Sequence, residues 1–228
     1  MTNDYMFRAV LQECPDALKS LVCALLHLKP HEFKSIEIKN PVKLGQSITS
    51  KTFILDMLVL LNNDHFLNLE MQVRDNGSWP EHSLSYLCRT FDQLSKGEKY
   101  ETLKPVIHIA FLDYTLFPAS PQFYATYQLK NIKNGAPYSD KFTLSVLDLN
   151  HIELAEPEDI ASGLVQWINF FKASTWKEVL HMATQNESIA KAASTMHSLY
   201  QNHYVYDECW QRKRLLKEFH LVGDDEND

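Results

Sequence analysis

Two strand-like runs joined by three turn residues constrain this chain more than any other feature. Thr52 to Leu61 is apolar almost throughout, His65 to Val73 alternates apolar with polar residues, and Asn62-Asn63-Asp64 stands between them. Asn and Asp tolerate left-handed backbone and bond to their own main chain, so they close turns. The pattern predicts an antiparallel hairpin whose first strand is buried on both faces. Its second strand places Leu67, Leu69, Met71 and Val73 on one face and Asn68, Glu70 and Gln72 on the other. If Leu61 faces His65 across the turn, Asp56 lies opposite Glu70, with facing Cβ atoms ~4.5–5.5 Å apart.

Two carboxylates at that spacing repel. Asp56 is set in Phe-Ile-Leu-Asp-Met-Leu-Val, where a charge is costly without a compensating cation. A hard divalent ion bound by oxygen ligands supplies that compensation. The expected set is Mg²⁺ on Asp56, Glu70 and the backbone carbonyl of Met71, with water completing the shell. Water held in this way can attack a phosphodiester, with Gln72 as an orienting hydrogen-bond partner. An amphipathic hairpin with a solvated polar face gives the same alternation on the second strand. The Asp inside the apolar run favours the cation. A one-residue change in the turn would part the two acids.

Periodicity elsewhere predicts a helix over 3–28 broken at Pro15, a strand over Phe33–Ile38, a loop over Asn40–Ser50 and a helix over 81–95. It then predicts a buried strand over Val106–Leu112 and two antiparallel strands over Phe123–Leu129 and Phe142–Leu149. Four helices follow, over Asp159–Phe171, Thr175–Met182, Ser188–Tyr200 and Tyr204–Phe219. This order predicts an α/β fold, a mixed β-sheet flanked by helices. The expected division is a core over 1–155 and a helical C-terminal region over 156–228, closed by the disordered acidic run Asp224-Asp225-Glu226-Asn227-Asp228.

Composition narrows the function classes. A 228-residue chain that is 45% apolar and 22% charged buries a core without staples. Its four cysteines match no zinc spacing and read as reduced thiols in a cytoplasmic protein, Cys14 and Cys23 in the core. No basic region precedes an apolar run at the N-terminus, and no apolar run reaches the ~20 residues of a membrane helix. A net charge of −7 argues against a nucleic-acid coat but leaves room for a nuclease with a local basic rim. The ten histidines form no H-x-x-x-H or H-E-x-x-H pattern, so none is expected to bind metal. No glycine loop cradles phosphate, and Ser162-Gly163 lacks a nucleophile-elbow context.

The segments Asn3-Asp4-Tyr5-Met6-Phe7, Phe53-Ile54-Leu55-Asp56, Asn68-Leu69-Glu70-Met71-Gln72 and Gly97-Glu98-Lys99-Tyr100 resemble the PD-(D/E)XK nuclease-family transposases, also called recombination-promoting nucleases. Leu103-Lys104-Pro105-Val106-Ile107-His108-Ile109 resembles the family's next strand, and the likeness covers roughly residues 2–155. It implies a restriction-endonuclease-like fold and Mg²⁺-dependent DNA cleavage, with Mn²⁺ as a substitute and a homodimer to cut both strands. Asp56 and Glu70 match the metal-binding acids. Gln72 stands where the wider superfamily uses Lys; Gln is usual in this family but brings no positive charge to the transition state. His82 departs from the Arg that the family often has at the start of the next helix.

Weaker candidates surround this set. Tyr86 and Arg89 are neighbours on a helix surface and could reach a phosphate. Lys51, with Lys39 and Lys43, flanks a loop able to grip a nucleic-acid backbone; a solvated loop fits as well. Asp4 and Glu13 could add an acid, and Arg212-Lys213-Arg214 reads as a solvated helix face. Two rivals to the endonuclease remain. One is a regulatory or nucleic-acid-binding module on the same fold. The other is full strand joining, for which no DNA-recognition domain is evident.

Overall fold

The computed structural model describes residues 4–29, 31–39, 42–43, 53–54, 57–92, 94 and 97–201. The chain opens with α1 (Asp4–Glu13) and α2 (Pro15–Leu25). Pro15 heads α2, where its missing N–H would have had no helical partner, and Asp16 in the first turn favours the helix dipole. The break therefore falls where the sequence places it. Strands β1 (Ile36–Lys39), β2 (Val42–Lys43), β3 (Phe53–Ile54), β4 (Met57–Leu61) and β5 (His65–Gln72) follow, then α3 (Trp79–Phe91). Next come β6 (Val106–Leu112), β7 (Tyr124–Gln128), β8 (Phe142–Asp148), α4 (Pro157–Ala161), α5 (Leu164–Lys172), α6 (Trp176–Ala183) and α7 (Glu187–Gln201).

One sheet has six strands in the order β1-β4-β5-β6-β8-β7. The β5–β6 and β6–β8 pairs are parallel; β1–β4, β4–β5 and β7–β8 are antiparallel. Parallel neighbours need a crossover, and α3 supplies it between β5 and β6. The β4–β5 register runs from Leu61↔His65 to Met57↔Leu69, as the turn chemistry predicts. Asn62 and Asn63 take φ of 51° and 55°, and the Asp64 N–H donates to the Leu61 carbonyl at 2.9 Å. The Asn62 side chain accepts from the N–H groups of Lys34 (2.7 Å) and Ser35 (3.1 Å) and donates to the Glu32 carbonyl (2.9 Å). This side chain ties the turn to the approach to β1.

Several elements differ from expectation. The expected loop over Asn40–Ser50 contains β2, paired with β3 in a separate two-stranded sheet. Two-residue strands are too short to leave a period. The expected strand over Thr52–Leu61 is thus shared between two sheets, β3 in one and β4 in the other. The helix expected over 81–95 starts earlier, at Trp79 with Pro80 in its first turn, and ends at Phe91. The helix expected over Asp159–Phe171 is split into α4 and α5 around Gly163, whose φ is 81°. The helix over Tyr204–Phe219, the basic run and the acidic tail lie outside the described residues.

The chain divides into two compact units. One spans Cys23–Val165 and holds the sheet and α3. Here Trp79 packs with Ala110, Leu112 and Val146, and Tyr86 with Leu58. His27 Nε2 lies 3.1 Å from Asp159 Oδ1, and the Tyr124 hydroxyl donates to the Leu25 carbonyl at 3.0 Å. The other unit joins the chain up to Val22 with the chain from Gln166 on. There the Phe7 ring meets Phe171 edge-on at 5.2 Å, Trp167 Nε1 donates to Ser20 Oγ at 3.3 Å, and Lys191 pairs with Asp16 at 2.7 Å. Thr175 caps α6 in a reciprocal box with Glu178. No helix among the described residues is long and apolar enough to cross a membrane.

Candidate active site

Strand β5 is buried on both faces at its centre. Leu67, Leu69 and Met71 fill one; Asn68 and Glu70, 0% and 6% exposed, fill the other. The polar face is therefore not solvated, because α3 lies over it. Placing a carboxylate there is costly unless neighbours compensate, and the neighbours are histidines.

His82, one turn into α3, sets Nε2 2.8 Å from Glu70 Oε1. Its ring is stacked between Trp79 (centroids 5.1 Å apart, 19° between planes) and Tyr86 (4.3 Å, 15°). These residues recur at three- and four-residue spacing and so share one helix face. From the other side comes His108 of β6, directly opposite Asn68 in the parallel ladder. Its Nδ1 is 2.8 Å from Asn68 Nδ2, and its Nε2 is 3.7 Å from Glu70 Oε2. Among the described residues Glu70 Oε2, His108 Nε2 and Asn68 Oδ1 are buried without a hydrogen-bond partner. Burial pushes the His108 imidazole down to about 4; the Glu70 charge opposes that shift and His82 adds to it. Burial likewise pushes the Tyr114 phenol above its ordinary value, with Asp75 and Glu70 adding to the shift.

The other sequence candidates are placed as follows. Gln72 shares the face of Glu70, is half-buried, and donates from Nε2 to the Arg74 carbonyl at 3.0 Å. The Gln72 carbonyl accepts from the Asp113 N–H just past β6. Successive peptide groups in a strand point to opposite sides, so the Met71 carbonyl points to the β4 side. Tyr86 is buried beneath His82, and Arg89 is half-buried further along α3. Asp56 and Lys51 lie outside the described residues. An apolar pocket of about 230 Å³ beside α3 is lined by Trp79, Leu84, Phe117, Tyr127, Leu144 and Val146, without Glu70.

Sequence reasoning gave no role to His82, His108 or Asn68. A usable signal existed for His108: it interrupts the apolar run Val106–Leu112 as Asp56 interrupts its own run. Among the described residues no group of three His, Cys, Asp or Glu side chains could hold a metal ion. Glu70 Oε2 is nonetheless a buried, unbonded carboxylate oxygen, the hard donor type that Mg²⁺ takes. A cation at this place would rest on Glu70 together with ligands beyond the described set, Asp56 first among them.

A family model described as PD-(D/E)XK nuclease family transposase matches residues 1–215. The chain belongs to that family. No curated protein and no solved structure matches the chain. The mixed six-stranded sheet with flanking helices is the restriction-endonuclease-like arrangement of a PD-(D/E)XK nuclease, as the sequence led us to expect. The transposase-family match extends past the resemblance over residues 2–155 and takes in α4 to α7.

Proposed function

We propose that this PD-(D/E)XK family member is a Mg²⁺-dependent DNA endonuclease of recombination or mobile elements, with Asp56, Glu70 and Gln72 as its active residues. In this reading residues 1–155 carry the nuclease core, 156–228 form a helical extension, and the enzyme works in the cytoplasm, as a homodimer where both strands are cut. The supporting observation is Glu70, whose carboxylate is buried beside α3 with Oε2 unbonded.

Asp56, Glu70 and the Met71 carbonyl would hold Mg²⁺, or Mn²⁺ in its place. The cation, when bound, would lower the pKa of water and neutralise charge on the scissile phosphate. The chain's own part is positional. Glu70 is fixed by His82 and excluded from bulk solvent by α3. Gln72 presents an amide oxygen to orient the attacking water, its amide nitrogen being anchored on the Arg74 carbonyl. Lys51 and Arg89, with Tyr86 stacked behind His82, are the proposed contacts to DNA.

Asp56→Ala and Glu70→Ala should each abolish Mg²⁺-dependent nicking of plasmid DNA while circular dichroism stays that of the parent. Undiminished cutting by both variants would refute the assignment. A second reading, a nucleic-acid-binding or regulatory module with little cleavage, is favoured by the neutral Gln72, which brings no cation to the transition state. Wild-type protein that binds plasmid but leaves it uncut at millimolar Mg²⁺ and Mn²⁺ would select it.

A further inference from the structure

Two histidines to which the sequence assigned no role approach the two oxygens of one buried carboxylate. Each is oriented by a partner of its own. His82 cannot swing freely, because Trp79 and Tyr86 stack on its two sides. His108 is fully buried, and its Nδ1 faces the Asn68 amide nitrogen at 2.8 Å. An amide nitrogen donates only, so Nδ1 accepts, and the proton of the neutral ring sits on Nε2. That nitrogen lies 3.7 Å from Glu70 Oε2, a gap too narrow for an intervening water and too long for a hydrogen bond.

We propose that His82 and His108 are positioning residues for Glu70: His82 holds Oε1, while His108, its tautomer set by Asn68, steers Oε2 and leaves it bare for a ligand. The two contacts differ in kind. The short bond on Oε1 fixes the carboxylate plane, and the longer approach on Oε2 orients without saturating it. Partners that act through a ligating group in this way tune metal sites, and losing one typically costs ~10–100-fold in metal affinity or activity. The inference rests on Glu70 being the working carboxylate of the proposed nuclease, so its test has one arm that needs no metal and one that does.

The first arm is histidine-selective ¹⁵N NMR on the full-length, metal-free protein at neutral pH. His108 should show the Nε2–H tautomer and His82 a protonated Nε2, and both signals should shift in Glu70→Gln. A Nδ1–H tautomer at His108, or an unprotonated Nε2 at His82, overturns the proposal whatever the protein does to DNA. The second arm is calorimetric titration with Mn²⁺ alone. His82→Ala should weaken binding ~10-fold or more, and His82→Gln, which keeps an N–H donor, should recover most of it. Equal loss in both variants would mark His82 as mere packing and overturn its positioning role. Wild-type protein with the expected tautomers but no Mn²⁺ binding would instead overturn the nuclease reading, and with it the use assigned to the cradle.

Discussion

Glu70 and His108 occupy places where ionisable groups are normally excluded. His108 stays neutral in the fold because burial drives its pKa from 6.5 to about 4. The unfolded chain takes up that proton near pH 6.5, whereas the folded chain resists until about pH 4. Between those values the unfolded state binds more protons, so stability falls as the pH drops through this window and levels off below it. Urea midpoints for metal-free wild type and His108→Gln, followed from pH 7 to 4.5, should therefore draw together as the pH falls. Profiles that stay parallel would show that His108 is not held neutral by the fold. At this scale the sequence was legible where a residue broke a period. Glu70 and Gln72 stood out on the polar face of an alternating strand, and Asp56 inside an apolar run. The roles of His82 and Asn68 stayed hidden because only the fold brings them to their partners, His82 on α3 to Glu70 and Asn68 on β5 to His108 on β6.

Elements read well where one period ran long enough to dominate. The apolar run of β6 is bounded as the sequence predicts, and the β4–β5 register followed from two asparagines. Reading failed where structure is short or where a brief turn interrupts a helical period. Strands β2 and β3 are two residues each. The join between α4 and α5 falls at Ser162-Gly163, where Gly163 adopts a φ of 81° that L-residues avoid. Gly163→Ala should cost ~1–2 kcal/mol through left-handed strain and lower Tm by about 2–8 °C for a chain of this size. A melting curve superimposable on wild type would mean that the backbone relaxes and that the break is set by α4 and α5 themselves. The same element-level logic makes α3 the critical helix of the site. It is at once the crossover that makes β5 and β6 parallel and the carrier of the stack that clamps His82.

Viewed whole, the molecule does not divide its packing as the sequence divides its functions. The order of elements and the extent of the family resemblance, roughly residues 2–155, put residues 1–155 in one block. In the structure α1 and much of α2 pack with helices from Gln166 on, through Phe7 on Phe171, Ser20 on Trp167 and Asp16 on Lys191. No local period records such a pairing of distant segments. A fragment ending at residue 155 should thus lose the helical signal of α1 and α2 as well as that of the deleted helices, and should bind a hydrophobic dye. A fragment with α1 and α2 intact and no exposed apolar surface would show that these contacts are dispensable.

That discontinuous unit has a temporal side. Synthesis runs from the N-terminus, so α1 emerges long before its partners in α5 and α7 exist. At ~5–20 residues per second the ribosome needs roughly seven to thirty seconds to add the intervening sheet unit. Throughout that interval Phe7, Leu11 and Leu18, buried in the finished protein, have no permanent neighbours. That unit can close only once the last helices have been made.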